Sequence, residues 1–171
     1  MDLLTNKAGV AATLQVAIGY DALEFNTFIR EAQDFDLKPL LPERFYFDML
    51  KNRSQANYLK LIEGSEYIYQ DATIYFYGIK KAIDYFTYSR FVLNSSSVST
   101  SHGMVVKTTP NSTPLSLEER KNLHYKKISE AGKIVEDVLK FIERNLNEYP
   151  MYKNTNCEFY KGYNFSTKII K

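Results

Sequence analysis

Ser116-Leu117-Glu118-Glu119-Arg120, continued by KNLHYKKISEAGKIVEDVLKFIERNL over residues 121–146, is the stretch whose reading decides the fold. Ser116 and Glu119, just after Pro114, have the spacing of a capping box, in which each side chain satisfies the other residue's backbone N–H. Ile128, Ala131, Val135, Val138 and Ile142 then recur at steps of three and four, and Ile134, Leu139 and Leu146 broaden the stripe. The opposite face carries Glu130, Lys133, Glu136, Lys140 and Arg144, with Glu136 and Lys140 in the favourable acid-before-base order. At 1.5 Å per residue, residues 116–146 make a helix of about 46 Å. A compact chain of this length is only about 40 Å across. The helix therefore spans the domain or partly projects from it. Gly132 is its candidate kink.

Towards the N-terminus the signals shorten. Asp21 with Glu24 predicts the start of a helix whose buried stripe is Phe25, Phe28, Ala32 and Phe35, with Ile29 beside it. Lys38-Pro39 turns the backbone out of helix, and Pro42 suits the first turn of a second helix to about Asn52, bearing Phe45 and Met49. Ser54 is placed to cap a third, Gln55 to Glu63, with Gly64 as its stop. Thr73-Ile74-Tyr75-Phe76-Tyr77 reads as a short strand or an extended lead-in, with helix still open at this length, before a helix from about Gly78 to Leu93. Residues 1–20 are weakly patterned and read as an extended arm or an edge strand.

Two segments stand apart. Of the 19 residues in 95–113, ten are Ser or Thr, and Lys107 is the only charge. Within them Gly103 and Met104-Val105-Val106-Lys107 fit one arm of a β-hairpin. Such a segment cannot form a core alone and is expected to order on assembly. After Pro150, read as the end of the long helix, Lys153, Lys161, Lys168 and Lys171 are interleaved with Tyr152, Phe159, Tyr160, Tyr163 and Phe165, a composition suited to docking on the domain or a neighbour. The fold expected is mainly α: a helical bundle of about four to five helices with a long C-terminal helix and a small β-hairpin or extended loop. The organisation is an arm over 1–20, a helical domain over 21–149 containing the 95–113 assembly loop, and a basic aromatic tail over 150–171.

Composition narrows the function. The 171 residues carry 22 basic and 20 acidic side chains, a net charge of +2, too near neutral for a generic nucleic-acid binder. Residues 1–50 are acidic and the remainder basic, which fits either scattered solvated charge or an acidic face meeting a basic neighbour. The single Cys157 permits no intrachain disulfide and reads equally as a small hydrophobe or a reactive thiol. Met1-Asp2-Leu3-Leu4 lacks the features of a signal peptide, and no apolar run reaches a membrane span, so a cytoplasmic protein is expected.

Catalytic candidates are few. His102 lies in the hydroxyl-rich loop, where a nearby Ser or Thr is unavoidable. Arg120 and His124 resemble the Arg–His motif of small helical ribonucleases at a shorter spacing, and read better as an exposed pair in the first turns of the last helix. Glu31, Asp34 and Asp36 read as a solvated acidic face rather than a metal or paired-carboxylate site. The sequence has neither a phosphate-cradling glycine motif nor a zinc-ligand spacing. No catalytic, metal or cofactor residue is assigned.

Taken in order, several segments resemble a known family. Ile29-Arg30-Glu31-Ala32-Gln33-Asp34-Phe35-Asp36-Leu37-Lys38-Pro39-Leu40-Leu41, leading into Pro42-Glu43-Arg44-Phe45-Tyr46-Phe47-Asp48-Met49-Leu50, is similar to the opening of head–tail connector proteins of tailed bacteriophages. Tyr77-Gly78-Ile79-Lys80-Lys81-Ala82 into Tyr85-Phe86-Thr87-Tyr88-Ser89-Arg90-Phe91 resembles their central helix. Thr100-Ser101-His102-Gly103-Met104-Val105-Val106-Lys107 resembles their hairpin loop, and Asn147-Glu148-Tyr149-Pro150 the end of their last helix. The nearest likeness is to the neck or ring proteins of crAss-like phages, and it covers residues 20–152.

The resemblance implies a structural, non-enzymatic virion protein without cofactors. It would assemble as a homo-oligomeric ring, typically of about twelve subunits, on the portal protein. It would extend the DNA channel without sequence-specific contact, hold the next neck or tail protein, and touch no membrane. It would lie in the virion neck, and in the host cytoplasm during assembly. The expected assembly residues are Thr100, His102, Gly103, Met104, Val105, Val106 and Lys107 in the loop, and Tyr160, Lys161 and Tyr163 in the tail. The alternative is a small helical ribonuclease-like or nucleic-acid-binding protein.

Overall fold

A computed structural model describes residues 2–17, 19–95, 97–100, 103–106 and 115–153. It is mainly helical. The capping box at Ser116 forms as expected, with Glu119 N donating to Ser116 Oγ at 3.2 Å and Ser116 N to Glu119 Oε2 at 2.8 Å. It opens α6, Leu117–Arg144, whose 28 residues span about 42 Å. Ala131, Val135, Val138 and Ile142 are buried as the stripe requires, and Gly132 and Phe141 join them. The charged face pairs differently from expectation, since Lys140 bonds Asp137 at 2.9 Å rather than Glu136. The helix also ends earlier. Asn145 caps it, its side chain donating to Phe141 O at 2.8 Å. Pro150 does not terminate it but begins a separate short helix, α7, Pro150–Lys153, a position where its missing N–H costs nothing. Between them Tyr149 is fully buried, its hydroxyl donating to Asn57 O at 2.9 Å.

The other major helix is α5, Ile79–Asn94, 16 residues long. It runs antiparallel to α6. Arg120 Nη1 donates to Leu93 O at 3.1 Å, and one turn on His124 Nδ1 lies 3.1 Å from Ser89 O. The expected exposed Arg–His pair is thus corrected. Both side chains are half-buried and tie α6 to the carbonyls of α5.

Asp21 caps α2, Ala22–Glu31, accepting from Leu23 N and Glu24 N. Phe25, Ile29 and Ala32 are buried, but Phe35 is 67% exposed. The cause is a π-helix over Ala32–Leu37, followed by a 3₁₀ turn over Lys38–Leu40. The wider π turn adds a residue per turn, so Gln33 and Leu37 face inward where a continued α-helix would place Phe35. The acidic face is likewise not simply solvated. Arg90 of α5 grips Asp36 with two bonds, Nε–Oδ2 at 2.6 Å and Nη2–Oδ1 at 2.9 Å, and reaches Glu31 Oε2 at 3.1 Å.

α3, Glu43–Lys51, follows Pro42 and buries Phe45, Tyr46 and Met49. α4, Ala56–Glu63, has Gln55 rather than Ser54 at its cap position, and no side-chain capping bond forms there. The expected arm is also corrected. Residues 7–13 form a helix, α1, Lys7–Thr13, with Val10 buried. Thr5 Oγ1 donates to Asp84 Oδ1 at 2.6 Å, Leu4 N to Gln33 Oε1 at 3.0 Å, and Gln33 Nε2 to Asp2 O at 3.2 Å. A seven-residue helix with one buried side chain leaves no stripe to read.

Two antiparallel hairpins complete the architecture. β1, Gly64–Tyr69, pairs with β2, Ala72–Tyr77, through a two-residue turn in which Gln70 and Asp71 both have positive φ, 49° and 63°. This is the turn whose twist matches a hairpin. The strand reading of 73–77 holds, and β1 is its unforeseen partner. Gly64 has φ 91°, and a Cβ on Gly78 would lie 2.2 Å from Ile62 O, so glycine lets the hairpin ends close between α4 and α5. β3, Ser97–Thr100, pairs with β4, Gly103–Val106. The hairpin arm expected at 103–107 is thus β4. Its partner strand, β3, is supplied by the same chain.

Candidate functional site

The assembly residues expected in the loop are brought together by the β3–β4 register. Thr100 lies opposite Gly103, Met104 opposite Ser99, Val105 opposite Val98, and Val106 opposite Ser97. His102, Lys107, Tyr160, Lys161 and Tyr163 lie outside the described residues, as does Cys157. The hairpin is spliced between the C-terminus of α5 and the N-terminus of α6.

A second surface was missed from sequence. In β1–β2, Ser65, Tyr67, Ile74 and Phe76 share the core face. Phe76 stacks on Phe141 of α6 with ring centroids 4.5 Å apart, and Tyr67 meets Phe141 at 5.0 Å. Arg144 closes the edge, donating to the Tyr67 hydroxyl at 2.6 Å and lying 3.9 Å from the Tyr69 ring centroid. The alternate residues then face outward: Glu66 opposite Tyr75, Ile68 opposite Thr73, and Tyr77 opposite Gly64. Ile68 is 78% exposed, Tyr75 64% and Tyr77 53%. The Tyr75 and Tyr77 rings meet edge to face at 5.4 Å, and Lys81 Nζ lies 5.7 Å from the Tyr77 ring centroid. The signal for this face was the period of two in Thr73, Tyr75 and Tyr77. Without β1 it could not be assigned a side.

The hairpins stand at opposite ends of the same two helices. Gly78 joins β2 directly to the N-terminus of α5, and β3 follows its C-terminus. α6 begins after β4, and its last turns pack under β1–β2. Each hairpin has two strands and so presents two outer edges. Among the described residues, no backbone hydrogen bond joins either hairpin to a third strand.

The polar clusters are structural in geometry. Arg90 is held cationic by its bonds to Asp36 above all, despite partial burial, and offsets two carboxylates. Asp84 is buried, and burial pushes its carboxyl above the ordinary range although Thr5, Lys80 and Lys81 pull the other way. Burial also pushes the Tyr46 hydroxyl up to about 12. Among the described residues no three His, Cys, Asp or Glu side chains converge as a metal site, and no helix is long and apolar enough to cross a membrane.

Residues 37–160 match the family of unknown function DUF6712, and the chain belongs to that family. The match runs from the end of the π-helix through both hairpins and α6. No curated protein and no solved structure matches the chain.

Proposed function

We propose that this member of the DUF6712 family is a structural, non-catalytic head–tail connector of a tailed-bacteriophage virion. It forms a ring on the portal, typically of about twelve subunits, extends the DNA channel, and holds the next neck or tail component. It resides in the virion neck, having been made in the host cytoplasm. The observation that carries the reading is a rigid pair of antiparallel helices, α5 and α6, bearing a β-hairpin with open edges at each end. Open strand edges are templates for pairing with another chain, and a subunit with one at either end is built to be joined on two sides. The net charge of +2 suits a conduit, because strong attraction to phosphates retards passing DNA. Arg120 and His124, the residues of the ribonuclease alternative, bond to α5 carbonyls, which supports a structural role for both.

Native mass spectrometry of the purified chain, alone and mixed with portal complexes, tests the proposal. Recruitment in a fixed multiple of the chain mass is the expected result. A chain that stays monomeric and ignores the portal would overturn it.

A further inference from the structure

α5 carries a helix on either side, and the two outer flanks differ in charge. On one side Phe91 meets Phe25 and Phe28 of α2, with ring centroids 5.4 and 6.2 Å apart, and Arg90 grips the π-helix. On the other side the Leu93 and Ser89 carbonyls meet Arg120 and His124 of α6. The α2 flank, continued by the π-helix, carries Asp21, Glu24 and Asp34 against Arg30. Beside them Arg90 is one cation for the two carboxylates of Glu31 and Asp36. The outer side of the N-terminal half of α6 carries Lys121, Lys126 and Lys133, all exposed. Of the acids in that half, Glu119 is taken by the Ser116 cap and Glu130 by Lys127, which leaves Glu118. Among the described residues, Asp21, Glu24, Asp34, Lys121, Lys126 and Lys133 take part in no ion pair.

Resting on the connector reading, we infer that the basic flank of α6 docks on the acidic α2 flank of a second copy of the chain. Charge complementarity selects that occupant. Within one chain α5 stands between the two patches, so the outer lysines of α6 meet the outer carboxylates of α2 only in another copy. Patches of unlike charge on opposite sides of a subunit make a heterologous contact, the kind that closes into a ring. A phosphate backbone would use the lysines and leave the acids of α2 without a role, whereas a second copy uses both. Large apolar side chains accompany the charges on each flank, with Leu23 and Phe35 exposed on one and Tyr125 on the other. Apolar contacts within a polar rim are the ordinary anatomy of an interface. The same contact accounts for the acidic bias of residues 1–50 and the basic bias of the remainder. It also leaves the hairpins, at the ends of α5 and α6, to the portal and the next neck component.

The experiment reverses charge on one flank at a time in the full-length chain and follows ring formation on portal complexes by native mass spectrometry. One variant carries Lys126→Glu with Lys133→Glu, the other Glu24→Lys with Asp34→Lys. Each alone is expected to lose the ring at a concentration where the parent forms it. An equimolar mixture of the two is expected to restore it, with equal numbers of each chain, because every contact then pairs unlike charges again. A chain carrying all four changes should also form the ring by itself. Glu24 lies in the first turn of α2, where an acid is favourable. If its reversal lowers the melting temperature, Glu24→Gln with Asp34→Asn replaces that variant and is expected to weaken the ring and its sensitivity to salt together. Loss of the ring with the α6 variant and normal assembly with the α2 variant would assign the lysines to another partner, such as the phosphates of passing DNA, and overturn the inference. Failure of both the mixture and the fourfold variant to restore the ring, with each chain folded, would also overturn it and leave the connector reading standing. If the parent forms no ring on the portal, the connector reading fails, and this inference with it.

Discussion

The two hairpins are alike in topology and opposite in what holds them. β1–β2 has six-residue strands, a tight two-residue turn, and an aromatic underside stacked on α6. β3–β4 has four-residue strands drawn from a stretch dominated by Ser and Thr. An isolated two-stranded hairpin is at best marginally stable in water. The first is stabilised by tertiary packing, so its inner face belongs to the fold and only its outer face is available. The second has no large apolar side chain beyond Met104 and its valines, so it gains most from a neighbour. One end of the molecule is a finished surface and the other an unfinished one, a difference that the proposed ring assembly would use.

The sharpest way to break the comparison is to cut the first hairpin's anchor. Phe76→Ala removes a ring that is buried and stacked on Phe141. A loss of about 3–5 kcal/mol is expected, read as a melting temperature lower by about 6 °C or more. On the other face of the same strand, Tyr75→Ser should stay within about 0.5 kcal/mol of the parent while weakening assembly. Equal thermal losses from the two changes would erase the distinction between inner and outer face.

A smaller effect sharpens how the frame beneath the hairpins is held. Asp84 on α5 is buried and accepts the Thr5 hydroxyl, with Lys80, Lys81 and Glu63 also acting on it. Its folded-state carboxyl is raised, so the folded chain binds that proton more tightly than the unfolded chain. Stability from this group is therefore fully present below the ordinary carboxylate value and is lost as pH rises through the raised one. Asp84→Asn should flatten that slope in chemical denaturation between about pH 4 and neutrality, and match or exceed the parent at pH 7. An unchanged slope would place the pH dependence elsewhere.

What was legible in the sequence was whatever had a long period or a strong cap. The Ser116 capping box, the α6 stripe, the Asp21 cap and the Gly64 stop all appear where their chemistry required them. What was not legible depended on distant partners. Phe35 fits an α-helical stripe, and only the π turn, with Asp36 drawn to Arg90 some 54 residues away, turns it outward. α1 is held by Thr5 and Gln33 rather than by a stripe. Ser65–Tyr69 lacks a strand signal without β2 beside it, so the aromatic face, the better-defined half of the candidate site, went unread. The β4 arm was read because Gly103 and the Met-Val-Val run are local features, and local features are what a single sequence displays.

The most direct test of the account removes the unfinished end alone. In a chain with residues 97–109 replaced by a short Gly-Ser linker, melting temperature and portal recruitment are measured on the same preparation, the latter by native mass spectrometry. The account predicts a folded monomer melting within about 2 °C of the parent, because α5 and α6 keep the buried residues through which they pack, and no incorporation into a ring. Normal incorporation of the shortened chain would contradict it.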